Sequence, residues 1–292
     1  DETCRVIIHT ANLRPADLRS KAQAAYLQDF SLKKNGGKDD SCDFQDSLVT
    51  YLATYNYRKT RRWLSGQDES LLTAMLRRYN FSTARAILLP SVPGYHRLDG
   101  SSQSWGHWKL RQTVAQHTTP DPSTSTRPIV CQFSSIGSLT EKYLRELQIS
   151  MDTNLCRIRD RPIDSKLPLH LQLVYPTVAE IRNSVEGYRG GASVPGTVKN
   201  TTKAFLRPLF RKWTPSNTLP LKGDHVPHIK TYYQASGDNQ SMDWLVVSSH
   251  NLSKAAWGEI QVTQYGRKLF IRHWELGVFV SPSLLGVDRL VH

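Results

Sequence analysis

Near the C-terminal end, His228-Ile-Lys230 sets an imidazole and an ammonium two residues apart, and Asn251 closes a second apolar run farther on. On a strand, that spacing sends both side chains to one face. Imidazole is a nucleophile and a proton carrier near neutral pH. Lysine presents a fixed cation to phosphate oxygens. Asn251 falls where a strand gives way to a helix-like Leu252-Ser-Lys-Ala-Ala-Trp257, and its amide donates to the same oxygens without adding charge. The set suits phosphoryl transfer through a histidine-bound intermediate, with positive groups standing where other enzymes use a metal. No HExxH, carboxylate cluster or P-loop offers a metal-based route, so neither metal nor cofactor is expected. Each residue also has a plainer reading: a surface histidine, a lysine that snorkels to solvent, an asparagine that caps a helix.

A relative of the Asn251 segment opens the chain. Val6-Ile-Ile-His-Thr-Ala-Asn12-Leu13 aligns with Leu245-Val-Val-Ser-Ser-His-Asn251-Leu252: three apolar residues, three small or polar ones, then Asn-Leu. An internal repeat organises the rest of the reading. His228 precedes Asn251 by 23 residues, and the same offset from Asn12 falls before residue 1. The expectation is a chain that starts inside the first copy, without that copy's His and Lys.

Elements must position these residues. Arg5–His9, Ala84–Leu89, Ile129–Phe133, Leu169–Tyr175, Ile229–Tyr233, Trp244–Ser249 and Leu269–Val280 read as strands. Phe44–Tyr55, Leu71–Tyr79 and Trp105–His117 read as helices. Ser138-Leu-Thr-Glu141 and Thr177-Val-Ala-Glu180 read as capping boxes, the first opening a helix towards Met151. Lys33–Cys42 and Pro120–Arg127 read as surface loops, and the turn-rich SVPGYHRLDGSSQS suggests a boundary near Gly100. Strands alternating with helices argue an α/β architecture.

With 292 residues, 39% hydrophobic and 22% charged, the chain has room for one large or two medium domains. No apolar run reaches the roughly 18 residues that span a membrane. Thirty-eight Lys and Arg against 25 Asp and Glu leave +13, which favours polyanions such as nucleic acid. Cys4, Cys42, Cys131 and Cys156 lie far apart with no CxxC spacing, which points to a reducing compartment and to neither a zinc site nor a disulfide framework.

Further stretches sharpen the picture: His9-Thr-Ala-Asn12-Leu-Arg-Pro-Ala-Asp17, Trp105-Gly-His-Trp-Lys-Leu110, Gln132-Phe-Ser-Ser-Ile-Gly-Ser-Leu139, Glu186-Gly-Tyr-Arg-Gly-Gly-Ala-Ser193 and Ile271-Arg-His-Trp-Glu-Leu-Gly277. In collinear order over most of the chain, these and the His228–Gly258 segment resemble the tyrosyl-DNA phosphodiesterases of the first type, a branch of the phospholipase D superfamily. The lipid-cleaving form, HxKxxxxD, fits poorly because its aspartate position is Ala235 here.

The resemblance implies two similar phospholipase D-like α/β sandwich halves with the active site at their interface, the first (residues 1–100) incomplete and the second spanning 101–292. It implies hydrolysis of the 3′-phosphotyrosyl bond between DNA and trapped topoisomerase I, and of other 3′ adducts, in the nucleus. His228 would protonate the leaving tyrosine and then activate water. Lys230, Asn12 and Asn251 would hold phosphate oxygens, and Gln23 and Glu275 would hydrogen-bond the two catalytic histidines. Ser134, Ser135, Gly191, Ser193 and Lys203 match the single-strand DNA groove; Ser134 and Ser135 precede the helix start expected at Ser138, where hydroxyls and free backbone N–H groups would make an anion site. Arg272 matches a residue facing phosphate or peptide. The expected partners are DNA bearing a 3′ adduct and a topoisomerase I-derived peptide. A chain that builds its own site needs no second copy, so a monomer is expected. Two other readings stay open: a non-catalytic nucleic-acid-binding module without the nucleophile, and another nuclease or lipase of the superfamily.

Overall fold

The computed structural model describes residues 2–34, 42–54, 69–98, 103–121, 127–158, 164–213, 225–238 and 240–291. In chain order they form β1 (Thr3–His9), α1 (Pro15–Ser20), β2 (Lys21–Ala22), β3 (Ala25–Ser31), α2 (Asp43–Thr54), α3 (Glu69–Arg77), β4 (Ile87–Ser91) and β5 (Gly94–Arg97). Then follow α4 (Gly106–His117), β6 (Ile129–Gln132), α5 (Glu141–Met151), β7 (Leu171–Val174), α6 (Val178–Arg182), a 3-10 helix (Gly187–Ser193), α7 (Val198–Thr201), β8 (Phe210–Arg211) and β9 (Val226–Pro227). The last third holds β10 (Thr231–Ala235), β11 (Ser241–Ser248), α8 (Lys254–Trp257), β12 (Glu259–Thr263), β13 (Gly266–Ile271), β14 (Glu275–Val280) and β15 (Leu290–Val291).

The largest sheet is mixed and runs β4-β14-β11-β10-β6-β7-β8, with β15 added beside β11. Its β6–β7 and β7–β8 pairs are parallel, and the others are antiparallel. Strand β6 reads Ile-Val-Cys-Gln and is buried at all four positions, as expected of a central strand with both faces covered. Alternation splits the neighbouring strands between two cores. Leu89 of β4 and Phe279 of β14 pack with Leu110 and Val114 of α4 and with Tyr143, Leu144, Leu147 and Met151 of α5. Their neighbours Leu88 and Val278 turn to the opposite face and pack with Ile8, Phe30, Phe44, Leu48 and Phe81. The β1–β3 ribbon thus lies against the same sheet that carries β11 and β14. Truncating Leu144 or Leu147 to Ala would cost about 2–5 kcal/mol by opening a cavity in the first of these cores.

Several expectations shift in detail. Helix α5 is capped by Thr140, whose hydroxyl accepts from Tyr143 N, so the predicted Ser138 cap lies two residues too early. The Thr177–Glu180 box forms as read, with Glu180 N donating to the Thr177 hydroxyl and Thr177 N to the Glu180 carboxylate. The turn-rich stretch hides β5, which pairs with β13, while its Gly100 boundary lies outside the described residues. The Leu269–Val280 run breaks at 272–274, where Arg272 N and His273 N both donate to Ala255 O. Residues 35–41 and 122–126 of the two predicted loops, and Tyr55, also lie outside the described residues.

Candidate active site

The short parallel pair β2–β9 sets up the site. Lys21 and Ala22 lie beside Val226 and Pro227, and Ala22 O then accepts from both His228 N (3.0 Å) and Ile229 N (2.8 Å). One carbonyl taking two successive N–H groups pulls the backbone off the ladder. His228 and Lys230 therefore occupy a three-residue link between β9 and β10, which corrects the expectation of a continuous strand. Beyond the link, Lys230 O accepts from Ser248 N (3.0 Å) and the antiparallel β10–β11 pair begins.

His228 is held by its Nδ1, which donates to Thr10 O at 3.0 Å with Gln23 Oε1 at 3.4 Å. The Gln23 amide is itself fixed, since Nε2 donates to Asp17 O (3.1 Å) and the Thr10 hydroxyl donates to Oε1 (2.7 Å). With Nδ1 carrying the proton, Nε2 is the nitrogen left to exchange one. Burial pushes the His228 pKa down and Lys230 adds to that, while Asp17 and the Thr10 carbonyl oppose it.

Lys230 is only 3% exposed and donates to His228 O at 2.5 Å. Burial draws its pKa down to about 8, against the pull of Glu275 and Asp17. Glu275, at the start of β14, accepts from the Ser249 hydroxyl at 2.5 Å, and that oxygen accepts in turn from Leu276 N (3.0 Å). Burial raises the Glu275 pKa to about 7, with Ser249 and Lys230 resisting. A carboxyl and an ammonium that both titrate near neutrality, within one electrostatic field, can share protons with a reacting group.

Asn251 is oriented from one side. Its Oδ1 accepts from Ser135 N (2.9 Å), Ser134 N (3.1 Å) and the Ser134 hydroxyl (3.3 Å), which leaves Nδ2 as the donor. The backbone N–H groups of Ser134 and Ser135 are thus committed to the asparagine. Beneath it, His250 is fully buried between Ser91 and Ser248, stacks on Trp257, and is kept neutral by burial, with a pKa of about 3. Asn12 lies two residues past Thr10, is exposed, and makes no side-chain hydrogen bond among the described residues.

The other predicted positions lie around this centre. Lys203 Nζ donates to Leu139 O (2.7 Å) and to Ser138 Oγ (3.2 Å), so it braces the approach to α5. Arg272 is exposed, lies over the Phe270 ring, and lines a cleft of about 220 Å³ with Ser138, Ser253 and Lys254. Gly191 and Ser193 belong to the 3-10 helix, which packs on β9. Sequence reading missed Thr10, Asp17, Lys21, Glu186 and Ser249. All but Lys21 fall inside quoted motifs, but nothing in their spacing announces a role at the site.

Fold and site together define an α/β protein with a histidine and a lysine on the link leading into β10 of a mixed sheet and a carboxylate at the start of β14, with β11 between those strands. The chain belongs to the tyrosyl-DNA phosphodiesterase family, whose model matches residues 1–291. It is 35% identical over 285 residues to tyrosyl-DNA phosphodiesterase 1 of Arabidopsis thaliana, covering 96% of this chain and 44% of that protein. To a probable tyrosyl-DNA phosphodiesterase of Caenorhabditis elegans it is 33% identical over 296 residues, covering 98% of this chain and 61% of the relative. The chain therefore spans about half the length of these relatives. The crystal structure of yeast tyrosyl-DNA phosphodiesterase shares the mixed α/β fold, with a TM-score of 0.71 and 20% identity over 99% of this chain and 67% of that one. No helix among the described residues is long and apolar enough to cross a membrane.

Proposed function

We propose that this protein hydrolyses 3′-phosphotyrosyl bonds, and related 3′ adducts, at DNA ends, and so clears trapped topoisomerase I in the nucleus. In this reading two similar phospholipase D-like halves, residues 1–100 and 101–292, share one site. Their division near Gly100 is one of descent, since β4 and β5 pair with strands of the second half. The observation that carries the reading is the 3.0 Å hydrogen bond from His228 Nδ1 to Thr10 O, which joins the two copies of the repeat at the proton-carrying group.

The chemistry runs in two steps. The first-copy histidine that the family resemblance implies attacks phosphorus; an N–P bond forms as the P–O bond to tyrosine breaks, and His228 gives its Nε2 proton to the departing oxygen. His228, now neutral, takes a proton from water. The water oxygen attacks phosphorus, the N–P bond breaks, and DNA leaves with a 3′-phosphate. Thr10 and Gln23 hold the His228 tautomer through both steps. Lys230, the Asn251 amide and Asn12 serve the non-bridging oxygens, where charge grows in the transition state. Glu275 is protonable near neutrality and suits partnership with the attacking imidazole. The basic surplus and the Ser134–Ser138, Gly191–Ser193 and Arg272 positions serve the DNA strand.

Incubating the full-length protein with a 3′-phosphotyrosyl single strand in excess chelator should release a 3′-phosphate end. Strand binding without release would favour a non-catalytic module, and release only on adding a divalent metal would overturn the mechanism.

A further inference from the structure

Nothing in the mechanism uses Lys21 or Glu186, yet they form the most buried cation–carboxylate contact around the site. Lys21 Nζ meets Glu186 Oε2, with the lysine side chain 2% exposed and the glutamate 19%. Lys21 belongs to β2, one residue before the carbonyl that takes the N–H groups of His228 and Ile229. Glu186 immediately precedes the 3-10 helix that carries Gly191 and Ser193. We propose that the Lys21–Glu186 pair is a positioning device that fixes the Gly187–Ser193 segment to the backbone delivering His228, so that a DNA strand gripped by the segment arrives in register with the imidazole. This inference rests on the function proposed above.

The surrounding packing argues for registration rather than general stability. The β2–β9 pair has only two residue pairs, too few to hold a segment by itself. Gly190 sits so close to β9 that an added Cβ would lie 2.6 Å from Val226 Cγ2, leaving the segment no slack against the strand before His228. Lys21 also shares its surroundings with Asp17, a buried carboxylate; Asp17 Oδ2 and Glu186 Oε2 both lack a hydrogen-bond partner among the described residues, so charge rather than hydrogen bonding ties the ammonium to them. An ammonium buried among two carboxylates fixes geometry at a cost in desolvation, and an apolar pair of the same size would hold the elements together at least as well. What the ion pair adds is placement: the two opposite charges meet away from solvent in one relative placement of segment and strand.

The test compares a substrate that reaches the segment with one that does not. The full-length protein and its Glu186→Gln, Lys21→Met and Lys21→Arg variants are assayed on a 3′-phosphotyrosyl decamer and on a thymidine 3′-phosphate aryl ester, with circular dichroism to verify folding. The Gln and Met variants should lose about tenfold in kcat/KM on the decamer while staying within twofold on the mononucleotide, and Lys21→Arg should recover most of the loss. Equal losses on both substrates, or none on the decamer, overturn the inference. If Glu186→Gln fails to fold, Glu186→Asp, which keeps the charge but withdraws it by one methylene, takes its place under the same two criteria. Should the wild-type protein cleave neither substrate, the proposed function is what has failed. Decamer affinity, read by fluorescence anisotropy, then decides the coupling: tenfold weaker binding by a folded variant supports it and unchanged binding overturns it.

Discussion

The two Asn-Leu segments share a sequence pattern and differ in almost everything around it. Asn251 closes β11, a strand inside the large sheet whose residues are alternately buried and half-buried, and its carbonyl is gripped by two backbone N–H groups. Asn12 follows β1, one strand of a two-stranded ribbon with mostly exposed or half-buried positions, and its amide is unheld within the described residues. The fold therefore fixes the Asn251 amide in place, whereas it leaves the Asn12 amide unheld within the described residues. A preorganised donor saves reorganisation when charge develops, and an exposed one tolerates change cheaply.

That contrast can be broken experimentally, starting where the effect should be greatest. Replacing His228 by Asn removes the imidazole proposed as proton carrier and should slow turnover roughly 100- to 10,000-fold, with a covalent protein–DNA adduct accumulating on denaturing gels. Full turnover of a 3′-phosphotyrosyl oligonucleotide by this variant would sink the assignment.

Next comes pH. Glu275 has its folded pKa raised from 4.5 to about 7, so its contribution to stability is fully present below about pH 4.5 and is lost as pH climbs through 7. Glu275→Gln should remove that loss. In denaturant melts the variant should gain on the wild type by about 3 kcal/mol between pH 4 and pH 8, because burial makes ionisation of this carboxyl costly. A pH-independent difference would show that the carboxyl is effectively solvated.

A direct comparison of the asparagines follows. Asn251→Ala strands the N–H groups of Ser134 and Ser135 and should cost about 1–3 kcal/mol of stability. Asn12→Ala should stay within about 0.5 kcal/mol of the wild type while still weakening phosphate binding. Equal stability losses would erase the distinction between the two copies. The smallest effect is expected at the rim, where Arg272→Ala should lower the slope of log affinity against log salt by about 0.7 for a single strand, leaving the melting temperature alone.

What the residues disclosed in advance was chemistry and periodicity. His228, Lys230 and Asn251 could be picked out because imidazole, ammonium and amide in that order suit a phosphate, and α4, β6 and the Thr177 capping box because short-range patterning sets them. Less visible were β5, whose partner β13 lies far along the chain and whose residues read as turns, and β3 and β12, which pair with the nearby β1 and β13 but bury few of their residues. The His228–Lys230 link was mistaken for strand because its departure from the ladder is caused by Ala22, some two hundred residues earlier.

Sequence alone, then, determined which groups are available and how they are spaced along the backbone, since side-chain type and local propensity are properties of short segments. Tertiary structure alone decided that Thr10 and Gln23 fix the His228 tautomer, that Asn251 is anchored through Ser134 and Ser135, and that Lys21 meets Glu186 away from solvent. Burial and long-range hydrogen bonding exist only once distant segments pack, and those are what set a tautomer, orient an amide or move a pKa.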